Sequence, residues 1–278
     1  MKLIHISDIH IHSGAICGLN PVENFRRCLA DVEANHGDAD RVVITGDLTH
    51  RGQADSYRLL ADMLEASSLK GDAAPRLLIG NHDDRAGFRA VFPDQPTDEN
   101  GFVNHAETID GTRFLYLDSV GEKTHAGHFC AARRAWLEAE LAACTRARIF
   151  LHHNPMPLGL PAEDKIALRP EDRPGFRALL DRYADKIEHI HFGHVHAPIS
   201  GTVAGIPFAS VPSTGNQSFP DLNETEWLKG GAMEPGYYVV LIENGDTVLH
   251  LIPFAWQGEL QASGTGWDDW AKPETLPA

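Results

Sequence analysis

Five apolar runs in this chain stop in the same way. KLIHIS runs into Asp8-Ile9-His10, RVVITG into Asp47-Leu48-Thr49-His50, and RLLIG into Asn81-His82-Asp83-Asp84. RIFLHH runs into Asn154-Pro155, and IEHIHFGH into Val195-His196. A turn explains a glycine at the end of a buried strand. It does not explain the histidine, carboxylate or amide that follows. Open α/β sheets place their ligand sites at the C-terminal ends of strands, so this pattern restricts the chain to folds that gather those ends along one edge.

Amphipathic stretches lie between the runs, and the alternation reads as strands interleaved with helices. The pattern predicts a strand over 2–7, then a helix from Pro21 with Asn20 as N-cap and Glu23 completing a capping box. Strands over 41–46 and 76–80 and helices over 53–66 and 85–92 follow. FVNHAETIDGTRFLYLD holds Asp110-Gly111 between two alternating runs, a β-hairpin signal. Beyond it come helices over 131–143 and 172–184 and strands over 148–153 and 187–194. The final third is strand-rich, with GIPFASVPS, GYYVVLIE and TVLHLIPF, the last two joined by Asn244-Gly245-Asp246. Residues 256–278 lack periodicity and read as a C-terminal tail or oligomer arm after a domain over 1–255, with Trp267 and Trp270 as packing groups.

Electrostatics asks for a metal at such an edge. Asp8, Asp47 and Asp83, brought together alone, would repel and raise one another's pKa values, whereas two divalent ions held by mixed oxygen and nitrogen ligands would stabilise the cluster. In an extended segment, residues two apart point to one face, so Asp8 with His10 and His194 with His196 can each be offered as a pair. Gly46, Gly80 and Gly193 leave room for backbone to turn close to the ions.

Composition narrows the partners. A net charge of −15 leaves no positive surface to replace the counterions of long DNA or RNA. A small anion remains admissible where metal ions reverse the local field. No apolar run approaches the ~20 residues of a transmembrane helix, and four cysteines without CxxC spacing suit a reducing compartment, so a cytoplasmic location is expected.

The ordered set Asp8-Ile9-His10, Gly46-Asp47, Gly80-Asn81-His82-Asp83, His152-His153 and Gly193-His194-Val195-His196 resembles the calcineurin-like metallophosphoesterase superfamily over about residues 1–215. SDIH, GNHDD and HHNPMPLGL look most like the class III cyclic-nucleotide phosphodiesterases and the related bacterial glycerophosphodiesterases. The resemblance implies an α/β, four-layer αββα sandwich of two mixed β-sheets flanked by helices. It also implies a dinuclear centre: Asp8, His10 and His196 on one ion, Asn81, His152 and His194 on the other, and Asp47 between them. The ions would be divalent or mixed-valence transition metals (Mn, Fe, Zn or Co), with a hydroxide between them as nucleophile and His82 facing the phosphate.

Two positions depart from the family pattern. His50 stands where many relatives carry Asp or Asn, and the usual HHPP becomes His152-His153-Asn154-Pro155. His12, His50 and Asn216 are candidate substrate contacts, as are Lys165 and Arg169 in the loops expected to cover the site. Asp83 and Asp84 are expected to shape turns, and His5, His189 and His191 to sit in the core. The implied activity is hydrolysis of a small phosphodiester, a 3′,5′-cyclic nucleotide such as cAMP first and a glycerophosphodiester second. A phosphomonoesterase and a non-catalytic module of the same fold are the competing readings. A homo-oligomer, dimer or higher, is expected from the pairing surfaces of the final third and tail.

Overall fold

The structure, a computed structural model, describes residues 1–262 and 274–275. Its first half runs β1 (Lys2–Ile6), α1 (Pro21–His36), β2 (Arg41–Thr45), α2 (Ala54–Ala66), β3 (Arg76–Leu78), α3 (Arg85–Val91), β4 (His105–Ile109) and β5 (Thr112–Leu117). Then come α4 (Ala131–Ala143), β6 (Ala147–Leu151), α5 (Arg173–Arg182), β7 (Ile187–Phe192), β8 (Ile199–Val203) and β9 (Ile206–Ser210). A short ribbon, β10 (Gln217–Ser218) and β11 (Gly230–Gly231), precedes β12 (Tyr237–Glu243) and β13 (Asp246–Ile252).

Two sheets result, ordered β13-β12-β1-β2-β3 and β4-β5-β6-β7-β9-β8. In the first, β1, β2 and β3 are parallel while β12 is antiparallel to β1. In the second, β5, β6, β7 and β9 are parallel while β4 and β8 pair antiparallel at the edges. The five strands that end in candidate ligands all belong to these parallel sets, so within each sheet their C-terminal ends point the same way.

Strand alternation builds the layers. Ile4, Ile6, Val42 and Ile44 face Phe25, Leu29 and Val32 of α1 and Tyr57 and Leu60 of α2. Leu115, Leu117, Ile149 and Leu151 face Leu137 and Leu141 of α4 and Phe176, Leu179 and Leu180 of α5. The intervening positions, Leu3, Val43, Leu78 and Val240 from one sheet and Phe114, Tyr116, Phe150 and Ala209 from the other, meet in a third core. Three cores separate four layers, helix, sheet, sheet and helix. Each buried Leu, Ile or Phe contributes about 1.5–3 kcal/mol to holding them.

Local signals match the observed elements, with instructive exceptions. Asn20 caps α1 by accepting from the Val22 and Glu23 amides, but Glu23 turns to Arg26 at 2.7 Å and leaves the capping box half made. Asp110-Gly111 and Asn244-Gly245 have positive φ at both positions, as tight hairpins of this hand require. A third such pair, Ala204-Gly205, joins β8 to β9. β8 was not expected, because its three central residues, Ser200, Gly201 and Thr202, are exposed and carry no apolar pattern. Trp267 and Trp270, expected in a tail or arm, lie outside the described residues. Among the described residues no helix is long and apolar enough to cross a membrane.

Candidate metal centre

The strands leading to the site stop one or two residues earlier than the apolar pattern suggests, and after β1, β2 and β7 the chain leaves the extended region. Asp8, His10, Asp47, His194 and His196 all have positive φ, between 45° and 69°. Left-handed backbone costs a residue with a Cβ roughly 1–2 kcal/mol. The expectation that strand alternation aims Asp8 with His10, and His194 with His196, is therefore corrected: separate left-handed steps turn each side chain into the site. Hydrogen bonds hold the steps. The His10 amide donates to Asp47 O at 2.9 Å, and the His194 amide to Asp8 Oδ2 at 2.9 Å. A Cβ at Gly80 would lie 2.2 Å from Asp47 Oδ1, and one at Gly193 1.8 Å from Ser7 Oγ, so both glycines are required for close approach.

The seven candidate ligands come together in two lobes that share one carboxylate. In the first, His10 Nε2 lies 3.1 Å from His196 Nε2, His196 Nε2 lies 3.2 Å from Asp8 Oδ1, and His10 Nε2 lies 3.5 Å from Asp47 Oδ2. In the second, His152 Nε2 lies 3.0 Å from Asn81 Oδ1, 3.3 Å from His194 Nδ1 and 3.4 Å from Asp47 Oδ1. Asp47 thus turns one oxygen to each lobe.

Atoms behind the lobes fix which nitrogen faces in. His152 Nδ1 donates to Thr45 O at 2.9 Å and His196 Nδ1 to Asn216 O at 2.8 Å, leaving both Nε2 lone pairs free. Asn81 Nδ2 donates to His125 Nδ1 at 2.9 Å, which aims the amide oxygen inward. His153 uses both nitrogens elsewhere, Nε2 donating to His125 O and Nδ1 accepting from Ser119 Oγ, so it stands outside the donor set. Asp83 does too. Its carboxylate takes the amides of Leu48, Thr49 and Gly80 and the Tyr57 hydroxyl, tying the loop that carries Asp47 to the one that carries Asn81. Asp84 caps α3 through the Gly87 amide.

This donor set fits a pair of cations. Burial, then the carboxylates of Asp8 and Asp83, push the Asp47 carboxyl well above the ordinary carboxylate range, an unfavourable arrangement that positive charge would reverse. Burial lowers His10 and His194 well below the usual imidazole range and His152 to about 4, keeping them in the neutral, ligating form. His196 moves up: burial opposes this, but the Asp8 carboxylate, the Asn216 carbonyl and Glu163 together outweigh it.

The model of a protein family described as calcineurin-like phosphoesterase matches residues 1–198. The chain belongs to this family. It is 34% identical over 268 residues to a probable cyclic nucleotide phosphodiesterase of Rhodopseudomonas palustris, covering 94% of this chain and 95% of that one. A cAMP/cGMP dual specificity phosphodiesterase of Mycobacterium tuberculosis is 30% identical, covering 76% of this chain and 67% of that one. A glycerophosphodiester phosphodiesterase of Enterobacter lignolyticus is also 30% identical, over 78% of each chain. Among solved structures, a dimetal phosphatase from Danio rerio superposes with a TM-score of 0.66 at 15% identity, over 90% of this chain and 95% of that one, which shows the shared fold.

In this calcineurin-like phosphoesterase the lobes form the floor of a cavity of about 490 Å³. His50, His82 and Asn216 line it, and His12 lies beside His50 with ring centroids 5.4 Å apart. Lys165 and Arg169 are not among the lining residues. Glu163 faces the cavity, and Lys165 stands two residues along the same 3₁₀ turn, where a three-residue period turns it away. Glu163, Ile166, Ser218, Leu228 and Lys229 belong to the two segments expected to cover the site, although none was singled out, whereas Ile16 and Cys17 were not anticipated in the wall. His125 and Ser119 were missed as well. The one available signal was position, since both follow β5, which is parallel to β6.

Proposed function

We propose that this phosphoesterase is a dinuclear metal-dependent hydrolase of small phosphodiesters, with cyclic nucleotides such as cAMP as first substrate class and glycerophosphodiesters as second. The observation that carries the proposal is the division of Asp47 between two lobes at the floor of the cavity, with Oδ1 near His152 and Oδ2 near His10. Asp8, His10 and His196 would hold one ion, Asn81, His152 and His194 the other, and Mn, Fe, Zn or Co all suit such mixed donors. When bound, the ions supply Lewis-acid stabilisation and a water of lowered pKa.

The chain's own groups do the rest. His82 donates its Nδ1 proton to His50 O at 2.8 Å, so its Nε2 edge, 3.9 Å from Asp47 Oδ2, is the one presented to a phosphate. From there a protonated His82 can pass a proton to the departing oxygen. Above the floor, Ile16, Ile166 and Leu228 offer apolar walls, and Asn216, Ser218 and Glu163 offer polar ones. That is room for an organic arm on the phosphate beyond the one that leaves, which favours a diester over a monoester. The activities for which the relatives are named support the same reading.

Metal-reconstituted protein should turn over bis-p-nitrophenyl phosphate, cAMP and a glycerophosphodiester at least tenfold faster in kcat/KM than p-nitrophenyl phosphate. Preference for the monoester would replace the diesterase reading with the phosphatase one, and no turnover with any of the four metals would favour the non-catalytic module. We also propose a homo-oligomer. β13 is a sheet edge among the described residues, with Val248 and Leu251 exposed along it, and light scattering showing a monomer at micromolar concentration would refute this.

A further inference from the structure

We propose a third metal site at the mouth of the dinuclear centre, built by His50 and His82 with His12 beside them, that takes up zinc or a similar divalent ion and blocks the enzyme. The loops that follow β1 and β2 stay side by side beyond the strands: the Ile11 amide donates to Leu48 O at 3.0 Å and the His50 amide to Ile11 O at 3.3 Å. Ile11 pairs with Thr49 in a parallel bridge, which brings His12 next to His50. His50 in turn stacks on His82, ring centroids 5.2 Å apart and planes within 16°.

Ligand atoms of His10, His50 and His82 lie within 4.8 Å of one another. His10 turns Nε2 to His196 and belongs to the first lobe. The other two are not used there. His82 is prepared as the lobe ligands are, with Nδ1 donating to a backbone carbonyl and an Nε2 lone pair free. Among the described residues, Nδ1 of His50 and Nδ1 of His12 are buried without a hydrogen-bond partner, an arrangement that coordination or a captured water would relieve.

The chemistry selects the ion. Imidazole nitrogens without a dedicated carboxylate prefer zinc, copper or nickel to magnesium or manganese. Zinc–nitrogen bonds of ~2.0–2.1 Å put two ligands of a tetrahedral ion ~3.3 Å apart, within reach of small side-chain rotations from the observed spacing. An ion there would occupy the His82 lone pair and stand over the cavity floor. The blocking effect rests on the proposed role of His82; the binding itself does not.

Equilibrium dialysis of the full chain against zinc chloride separates the two. The wild-type protein should retain three equivalents after dialysis at excess zinc, and His50→Asn two. His12→Asn should bind the third at least tenfold more weakly, and serves as a second probe if the first variant folds poorly. Diester turnover of zinc-loaded wild type should fall at least tenfold as the third equivalent binds, with His50→Asn losing that inhibition relative to its own starting rate. Two equivalents in wild type, or three in His50→Asn, would overturn the site. Three equivalents in a protein that hydrolyses no diester would uphold the site while refuting the proposed function.

Discussion

His5, His189 and His191 lie within β1 and β7, whereas His10, His152, His194 and His196 stand just beyond strand ends, and all but the half-buried His196 are buried. Between the sheets the rings serve as flat packing surfaces: His191 stacks on Phe150 at 4.7 Å and on His189 at 4.2 Å. Both ring nitrogens of His191 lack a hydrogen-bond partner among the described residues. At the sheet edge the rings turn nitrogens toward one another and toward Asp8 and Asp47, with the opposite nitrogen often anchored on a carbonyl. Burial and an unpartnered nitrogen are therefore insufficient marks of a metal ligand. Convergence of ligand atoms on one point, here on the shared Asp47 carboxylate, is the discriminating feature. Thr45 joins the two regions, its hydroxyl meeting His5 Nε2 at 2.9 Å and its carbonyl accepting from His152.

The sharpest way to break this contrast is at the shared carboxylate. Asp47→Asn should lower diester kcat/KM by roughly 10⁴-fold, the several kcal/mol of stabilisation that two positioned cations supply. Metal at the dinuclear centre, measured below the zinc excess that fills the third site, should fall from two equivalents to one or fewer, and an Asp47→Asn protein that kept two equivalents there and a rate within tenfold of wild type would remove the bridging role. His82→Gln should cost roughly 10³-fold in kcat, in the range of a lost general acid, with the two equivalents of the dinuclear centre retained. Loss of either of those two would reassign His82 from proton transfer to ligation in that centre.

On the inter-sheet side the contrast predicts a pH effect on folding instead of on chemistry. Burial, then Arg148, lowers His189 to about 4, so the folded chain excludes a proton that the unfolded chain accepts below about 6.5. Stability is therefore complete above pH 6.5 and declines as pH falls toward 4, where the folded protein also protonates. The shift corresponds to about 3 kcal/mol at most. Urea titrations of metal-free protein between pH 4 and 7 should show this slope together with that of the other buried histidines, and His189→Gln should reduce it by about one proton; an unchanged slope would mean that His189 is not held neutral. Smaller effects follow at the margins. Ser119→Ala loosens His153, which holds the His125 carbonyl behind Asn81, and should weaken metal affinity by less than about tenfold, below the effect of a support that touches a ligand directly. His191→Phe should alter neither metal content nor kcat/KM and should shift stability by less than about 1.5 kcal/mol, because the ring already packs as an aromatic.

Much of this architecture was legible before folding is considered. Strand and helix order followed from periods of two and 3.6, and the hairpins at Asp110-Gly111 and Asn244-Gly245 from residues that tolerate positive φ. β8 escaped because its exposed centre has no periodicity to read. At the site, side-chain chemistry and strand-end position marked the region, and the family resemblance singled out the seven candidate ligands within it. His125 could not be found in that way, since it is an exposed loop residue whose part, holding Asn81, depends on a neighbour 44 positions away.

The sequence by itself determined which chemical groups arrive at the edge of the sheets, because alternation and strand termination are properties of short segments. Only the tertiary structure decided how they point. Left-handed steps at Asp8, His10, Asp47, His194 and His196 are tolerable where hydrogen bonds from other segments offset their cost, and those partners meet only when β1 pairs with β2 and the two sheets pack.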